Sequence, residues 1–424
     1  MLVFKFLVFV GLVVVGGRGN KENNVCPTLK DYATIRTNER CWYNPDVNSK
    51  PESIARRYGF KLEVHEVTTS DGYILSLYRV VPCNGTIGDT PVLLQHGICN
   101  NGAFWMLDGK KSIPFYLVSV GFDVWLSNAR GTEVSMRHVN MTAADPKFWD
   151  FSFHEIAVFD IPALLDYIRK KTGGKRKVNF MGHSMGGTIQ FVYSSMLPDH
   201  AKENVEAIVS LAPVVYTKYL KSEVPRILSD YTGFILDELH MIDFYGSGMY
   251  PHLKKLVENT CKTYPTISTC QVILESLVGS NRNTLEAETL PLFFRRYPAS
   301  FSIKTLAHYG QERSSGGRFQ MFDYGTRENL LRYNSVIPPA YDLQKIKVPV
   351  YILFGEADLL SVEEDLDILF ADLKTEKYMI HFRGENNAEL FTHNDFLFSK
   401  ELIKLDQYLA ELLGNVSTSA NKKR

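Results

Sequence analysis

The sequence predicts an α/β protein whose mostly parallel central sheet, with helices on both faces, is interrupted by a helical insertion. Three features point there. Up to about Pro213, short apolar runs that stop at Gly or polar turns alternate with segments of helical period. The alternation lapses between about Val214 and Pro339. It resumes at Val348 to Phe354 and again at Lys377 to Phe382. An insertion between two halves of one sheet accounts for all three.

The first half reads as strands from about Lys61. Leu75 to Val81 ends at Pro82, Pro91 to Gln95 ends at His96-Gly97, and Phe122 to Leu126 ends at Asn128-Ala-Arg-Gly131. Apolar runs this short suit strands of a parallel sheet buried on both faces. A helix is predicted over His154 to Lys171, because Ile156, Phe159, Ala163, Leu164, Tyr167 and Ile168 recur at helical spacing. Gly173-Gly174 stop it, and Pro162 inside it predicts a kink. A strand over Lys177 to Met181 follows, then a Gly-rich turn, a helix over Gly186 to Met196, and a strand over Val205 to Leu211.

The expected division is a core segment over 20–213, an insertion over 214–339 and a second core segment over 340–413. The insertion holds helical patterns and the aromatic stretches Phe293-Phe294 and Phe319-Gln-Met-Phe322. Within it, Tyr231 to Tyr245 is rich in apolar side chains that suit a buried cap or the hidden face of a lid. A last amphipathic helix is expected over Asn394 to Leu413, and the polar residues 414–424 are expected to be a disordered tail.

The chain opens on Met-Leu-Val-Phe-Lys, an apolar run from Phe6 to Val15, and Gly16-Gly17-Arg18-Gly19. A basic start, a short apolar run and small residues after it predict a secretory signal peptide over about 1–19. The run is shorter than the roughly 20 apolar residues that a spanning helix needs. No other run is long enough, so no transmembrane segment is expected. Secretion permits disulfides. Of the six cysteines, Cys261 and Cys270 close a short loop containing Pro265, which suits a local bridge. Cys26, Cys41, Cys83 and Cys99 cannot be paired from sequence. Asn84, Asn140 and Asn415 each head an N-x-[ST] triplet and are candidate glycosylation sites.

Composition is that of an ordinary globular protein, with 45% hydrophobic and 22% charged residues, which excludes a long disordered chain. Lys+Arg and Asp+Glu balance at 47 each, so no bulk field favours nucleic acid or an anionic membrane. No C-x-x-C pair exists to suggest zinc or thioredoxin-like chemistry.

The sharpest chemical signal is Gly182-His183-Ser184-Met185-Gly186, a G-x-S-x-G between a predicted strand and a predicted helix. The glycines leave room for a strained turn that lifts the Ser184 hydroxyl toward a reactant. Serine needs a base, and around this motif the chain order is Ser, acid, His. Six histidines follow Ser184. His393 lies beyond a polar loop past a strand end, whereas His381 sits inside a strand pattern, so His393 is the candidate base. His200, His240, His252 and His308 precede the resumed sheet and suit the insertion or the surface. The candidate acid is Asp358, just past the strand Val348 to Phe354, with Glu356 the alternative. Asp365 and Asp367, in the next helical pattern, read as solvated charges. The substrate oxygen that becomes negative needs two N–H donors. The backbone of Met185, after the nucleophile, is one candidate. The backbone of Ile98, in the loop Leu94 to Cys99, is the other. His183 reads as a packing residue behind the site.

At these residues the chain resembles the acid lipase family: gastric and lysosomal acid lipases and their insect relatives. The likeness spans nearly the whole chain beyond the leader. It includes His96-Gly97 with Trp105 following, Asn128-Ala-Arg-Gly131, Phe148-Trp149-Asp-Phe-Ser-Phe153 and the serine turn. It continues through Phe319-Gln-Met-Phe-Asp-Tyr-Gly325, Gly355-Glu-Ala-Asp-Leu-Leu360 and His393-Asn-Asp-Phe396. The resemblance implies an α/β-hydrolase fold, a triad of Ser184, Asp358 and His393, and oxyanion donors at Ile98 and Met185. It implies a cap with a mobile lid over 214–339 and a cap disulfide between Cys261 and Cys270. Within the insertion, the need to hide an apolar face in water predicts the lid near the Cys261–Cys270 loop, covering Ser184 when closed. The family usually has Gln at position 185 and Leu after His-Gly, where this chain has Met185 and Ile98-Cys99.

The implied activity is hydrolysis of neutral lipid esters, triacylglycerols or sterol esters, at an oil–water interface, by a secreted or lysosomal enzyme. No metal or organic cofactor is implied, and a monomer is assumed. A carboxylesterase for smaller soluble esters and a non-catalytic lipid-binding protein are the alternatives.

Overall fold

The computed structural model describes residues 22–223, 249–280, 286–384 and 390–422. The leader over 1–19 and the segment Tyr231 to Tyr245 lie outside the described residues.

Nine strands form one sheet among the described residues. They are β1 (Phe60–Thr68), β2 (Tyr73–Pro82), β3 (Thr90–Gln95), β4 (Phe122–Leu126), β5 (Arg137–His138), β6 (Val178–His183), β7 (Val205–Leu211), β8 (Val350–Phe354) and β9 (Lys377–His381). The order is β1-β2-β4-β3-β6-β7-β8-β9, with β5 paired to β2. From β4 through β9 every pairing along this path is parallel. The run Leu75 to Val81, expected in the parallel sheet, is instead antiparallel, pairing with β1 on one side and β4 on the other. A four-residue turn between β1 and β2 lets them form a hairpin, which a parallel crossover could not do.

The sheet is buried on both faces, and this explains its continuous apolar strands. Val92, Leu94, Val124, Leu126, Met181, Val209, Leu211 and Leu353 face one core. Leu93, Trp125, Phe180, Ile208 and Ile352, one residue out of phase, face the other. On that second face lie helices α1 (Ile161–Lys171) and α2 (Met185–Met196). Helices α3 (Met249–Thr260) and α4 (Thr266–Val278) fall within the insertion, and α5 (Leu402–Lys422) covers the first face. Between Val214 and Pro339 the described residues contribute no strand to the sheet. Cys261 and Cys270 are bonded and join α3 to α4, and Cys26 is bonded to Cys41. Cys83 and Cys99 form no disulfide.

Several local expectations are corrected. The helix expected over His154 to Lys171 is one unbroken helical run from Phe153 to Lys171, but its second turn, Ile156–Asp160, is π-helical before α1 begins. Pro162 is the second residue of α1, just after the π-helical segment, so the departure from regular α geometry lies in the turn before the proline. The last helix starts at Leu402 rather than Asn394, after a short 3-10 turn at His393–Phe396. It also runs through the expected disordered tail to Lys422. The stripe Leu402, Leu405, Leu409, Leu413 continues to Val416, so burial carries the helix past Gly414. Asp365 is buried rather than solvated, accepting the Tyr219 backbone N–H at 3.1 and 3.0 Å. Asp367 is exposed.

Asn84, Asn140 and Asn415 are all exposed. No helix among the described residues is long and apolar enough to cross a membrane.

Candidate active site

Strand β6 ends at His183 and helix α2 begins at Met185, so Ser184 alone makes the turn. Its backbone has φ 58° and ψ −121°, a strained conformation for a residue with a side chain. The Ser184 N–H donates to Leu211 O at 3.0 Å, which anchors the turn to β7. Two glycines make the turn sterically feasible. A Cβ on Gly182 would lie 2.6 Å from Gly186 O, and one on Gly186 would lie 2.4 Å from Gln95 O. The end of β3 therefore crosses close over the turn. Ser184 keeps 6% of its surface exposed, and the positive end of the α2 dipole lies at its back.

The turn after β8 places Asp358 beside His393. His393 Nδ1 donates to Asp358 Oδ2 at 2.8 Å, with both side chains buried. The other carboxylate oxygen accepts the N–H groups of Leu360 at 2.7 Å and Ser361 at 2.9 Å, so the acid is held at both ends. The two loops are also joined directly, by Ala357 N–H to Phe391 O at 3.0 Å. A capping box between Thr392 and Asp395 fixes the turn that carries His393. With Nδ1 donating, Nε2 of a neutral His393 is left with its lone pair, the state a general base requires.

The alternatives are placed elsewhere. His381 ends β9, stacks on Phe354 at 4.8 Å between ring centroids, and lies 3.7 Å from Glu356. Glu356 pairs with Arg383 at 2.9 Å, away from His393. His308 is buried within the insertion between Ser152 Oγ and Gln320 O, and His200 binds Tyr193 and Asp166. His252 lies in α3, and His240 is outside the described residues.

The loop after β3 runs past the serine. A Cβ on Gly97 would lie 3.0 Å from Ser184 Cβ, a tight contact that a larger residue could make only by displacing the serine. Neutral His96 sets the next peptide. Its Nδ1 donates to Gly97 O at 2.8 Å, and its Nε2 accepts the Ala129 N–H at 3.1 Å. In a trans peptide the C=O and N–H point in opposite directions. Gripping the Gly97 carbonyl therefore fixes the direction of the Ile98 N–H. Burial pushes His96 down to about 4, which keeps the ring in the neutral form that both bonds need.

Ala129 is itself held by its neighbour. Arg130 is buried, bonds Asp160 through Nε at 2.7 Å, and grips Asp71 through both terminal nitrogens at 2.6 and 2.9 Å. Asp160 closes the π-helical segment, which accounts for that irregularity: it presents a carboxylate to Arg130. Sequence reasoning quoted Asn128-Ala-Arg-Gly131 but missed this role and that of His96. A short polar run at a strand end was the available signal, and the partners lie far along the chain.

Among the described residues no group of three His, Cys, Asp or Glu side chains is arranged to hold a metal ion. The groups on these neighbouring loops are a strained serine, a buried acid–imidazole pair and the backbone N–H groups of Met185 and Ile98. Such a set can attack a carbonyl carbon, move one proton and stabilise the resulting oxyanion.

Two family models match the sequence. A partial α/β-hydrolase lipase region covers residues 51–109, and the α/β-hydrolase fold covers residues 90–237. Lipase 1 of Drosophila melanogaster is 32% identical over 98% of this chain and 93% of its own length. Gastric triacylglycerol lipase of Bos taurus is 32% identical, covering 84% of this chain and 89% of that protein. A putative lysosomal acid lipase/cholesteryl ester hydrolase of Crotalus adamanteus is 34% identical, covering 77% of this chain and 82% of that protein.

Proposed function

Since the chain belongs to the α/β-hydrolase lipases, we propose that it hydrolyses carboxylic esters of neutral lipids, triacylglycerols or sterol esters, through an acyl-enzyme on Ser184. The observation that carries this reading is the buried hydrogen bond of 2.8 Å between His393 Nδ1 and Asp358 Oδ2, on loops that neighbour the strained Ser184 turn. The names of the relatives supply the substrate class.

In this reading Ser184 Oγ attacks the ester carbonyl while His393 Nε2 takes its proton. Asp358 holds the imidazole in the required tautomer and stabilises the imidazolium. The carbonyl oxygen, now negative, accepts from the N–H groups of Met185 and Ile98. Collapse breaks the ester C–O bond, and His393 returns the proton to the departing alcohol. Water, deprotonated by His393, then attacks the acyl-Ser184. The fatty acid leaves and Ser184 recovers its proton. Residues 214–339 form the cap over this site. The leader over 1–19 directs the chain to secretion or the lysosome, with Asn84, Asn140 and Asn415 glycosylated.

The test is Ser184→Ala, assayed on a soluble short-chain ester and on an emulsified long-chain one. Loss of both activities by several orders of magnitude in a folded protein is expected. Retained activity overturns the serine assignment. Wild-type turnover confined to the soluble ester replaces the lipase reading with a plain esterase. Binding of lipid by a wild-type protein inert on both esters replaces it with a carrier.

A further inference from the structure

The loop that carries Ile98 is gripped from two sides, and one grip comes from the insertion. On the core side His96 holds the Gly97 carbonyl, as described. On the other side the Cys99 carbonyl accepts the Ala299 N–H at 2.6 Å. Cys99 has φ 58°, a left-handed conformation that is unfavourable for a residue with a side chain. Such a conformation persists when its surroundings impose it. Here the surroundings are the stretch 296–300, in which Ala299 and Ser300 are fully buried.

That stretch is held in turn by two charged side chains. Lys254, on α3, donates from Nζ to Arg296 O at 2.7 Å and to Pro298 O at 3.1 Å. Glu133 bridges the two walls. Its Oε1 accepts the Ser300 N–H at 3.2 Å, and its Oε2 accepts from Asn101 Nδ2, on the Ile98 loop, at 3.2 Å. The disulfide-linked pair α3 and α4 also reaches the opposite side of the site. Gly279, which ends α4, packs so tightly there that an added Cβ would lie 2.1 Å from Ala357 O and 3.5 Å from Thr392 Cβ. Those residues adjoin Asp358 and His393.

We propose that Lys254 and Glu133 are positioning residues for the oxyanion donor. They hold residues 296–300 so that Ala299 fixes the Cys99 carbonyl, and with His96 this aims the Ile98 N–H. The insertion thus completes the catalytic geometry in addition to covering it. This rests on the reading of Ser184 as nucleophile and Ile98 as donor.

The consequence is a loss confined to the transition state. A misaimed donor weakens the oxyanion and leaves ground-state ester binding alone. Lys254→Met and Glu133→Ala should each lower kcat on a soluble short-chain ester by about tenfold or more, with KM changed less than about twofold. Affinity for a trifluoromethyl ketone, whose adduct with Ser184 is an oxyanion, should fall by the same factor. Glu133→Gln and Lys254→Arg, which keep an acceptor and a donor, should recover most of both. Rates are expressed per site titrated with a phosphonate, so a loss of folded protein does not count. Unchanged kcat and ketone affinity per titrated site overturn the proposal, as does an equal loss in Glu133→Gln and Glu133→Ala. If Ser184→Ala retains activity, the underlying reading fails instead, a distinguishable outcome.

Discussion

His183 Nε2 donates to the backbone carbonyl of His393 at 2.8 Å, with the two ring centroids 4.8 Å apart. The residue before the nucleophile thereby holds the backbone of the candidate base. Burial, together with the His393 ring, pushes His183 well below the usual imidazole range, so it stays neutral and keeps its single N–H for this bond. His183→Phe fills the space without the donor. Its kcat should fall about tenfold at constant KM, since only the placement of His393 is disturbed. His183→Gln, which restores an N–H at similar reach, should recover most of the rate. Wild-type kcat in His183→Phe would show that His393 needs no such restraint.

Asp358→Asn tests the acid. The amide can hold His393 only in the wrong tautomer, so kcat should drop by about 10³ to 10⁴ while the protein stays folded. His381→Ala is the contrast. It removes a stack on Phe354 and a contact with Glu356, and nothing that reaches Ser184. It should lower Tm by a few degrees and leave kcat within about twofold. Steady-state kinetics and thermal melts on both variants separate the two roles. The reverse pattern would reassign the base.

Stability should depend on pH through Asp406. This carboxyl is fully buried on α5, and neither oxygen has a hydrogen-bond partner among the described residues. Burial, with nearby Asp108, pushes it up to about 8. Unfolded, an Asp titrates near 3.9. The folded protein therefore keeps a proton that the unfolded chain releases between about pH 4 and pH 8. The native state loses stability as pH rises through that window. Asp406→Asn removes the linkage, so it should raise Tm by a few degrees at about pH 7.5, with the gain vanishing near pH 4. An equal shift at both pH values would mean that Asp406 does not titrate there. His96 has the opposite sign. Its folded value of about 4 lies below the unfolded one, so its contribution is present above about pH 6.5 and fades as pH falls toward 4.

The sequence made these features legible to different degrees, and distance along the chain explains most of the difference. The α/β class and the serine turn were readable because their causes are local. Gly182 and Gly186 touch each other across Ser184, and apolar runs that end in turns mark the strands. Asp358 and His393 were nominated by position, as polar residues just beyond strand ends. The grip of Ala299 on Cys99, or of Asp160 on Arg130, joins residues remote in sequence and leaves no periodic trace. Asp365 and Asp367 are chemically identical, but two positions on a helix turn through about 200°, so one faces inward and the other outward. The end of α5 was hidden by the polar composition of residues 414–424, and only packing shows that Val416 continues the buried stripe.

Two glycines provide a paired test of these packing arguments. Gly186→Ala would bring a methyl carbon within 2.4 Å of the Gln95 carbonyl oxygen, and both atoms belong to rigid elements. Either β3 or the serine turn must shift, which should cost about 1–3 kcal/mol and most of the activity. Gly414 lies within α5, and a Cβ there meets nothing within 4 Å. Gly414→Ala should therefore stabilise the helix by roughly 0.5–1 kcal/mol, because alanine loses less backbone freedom on folding, and it should leave kcat unchanged. Thermal melts and ester turnover on both variants decide the matter. Stable, active Gly186→Ala would mean that β3 does not press on the turn. A destabilised Gly414→Ala would mean that residues 414–422 do not extend the helix.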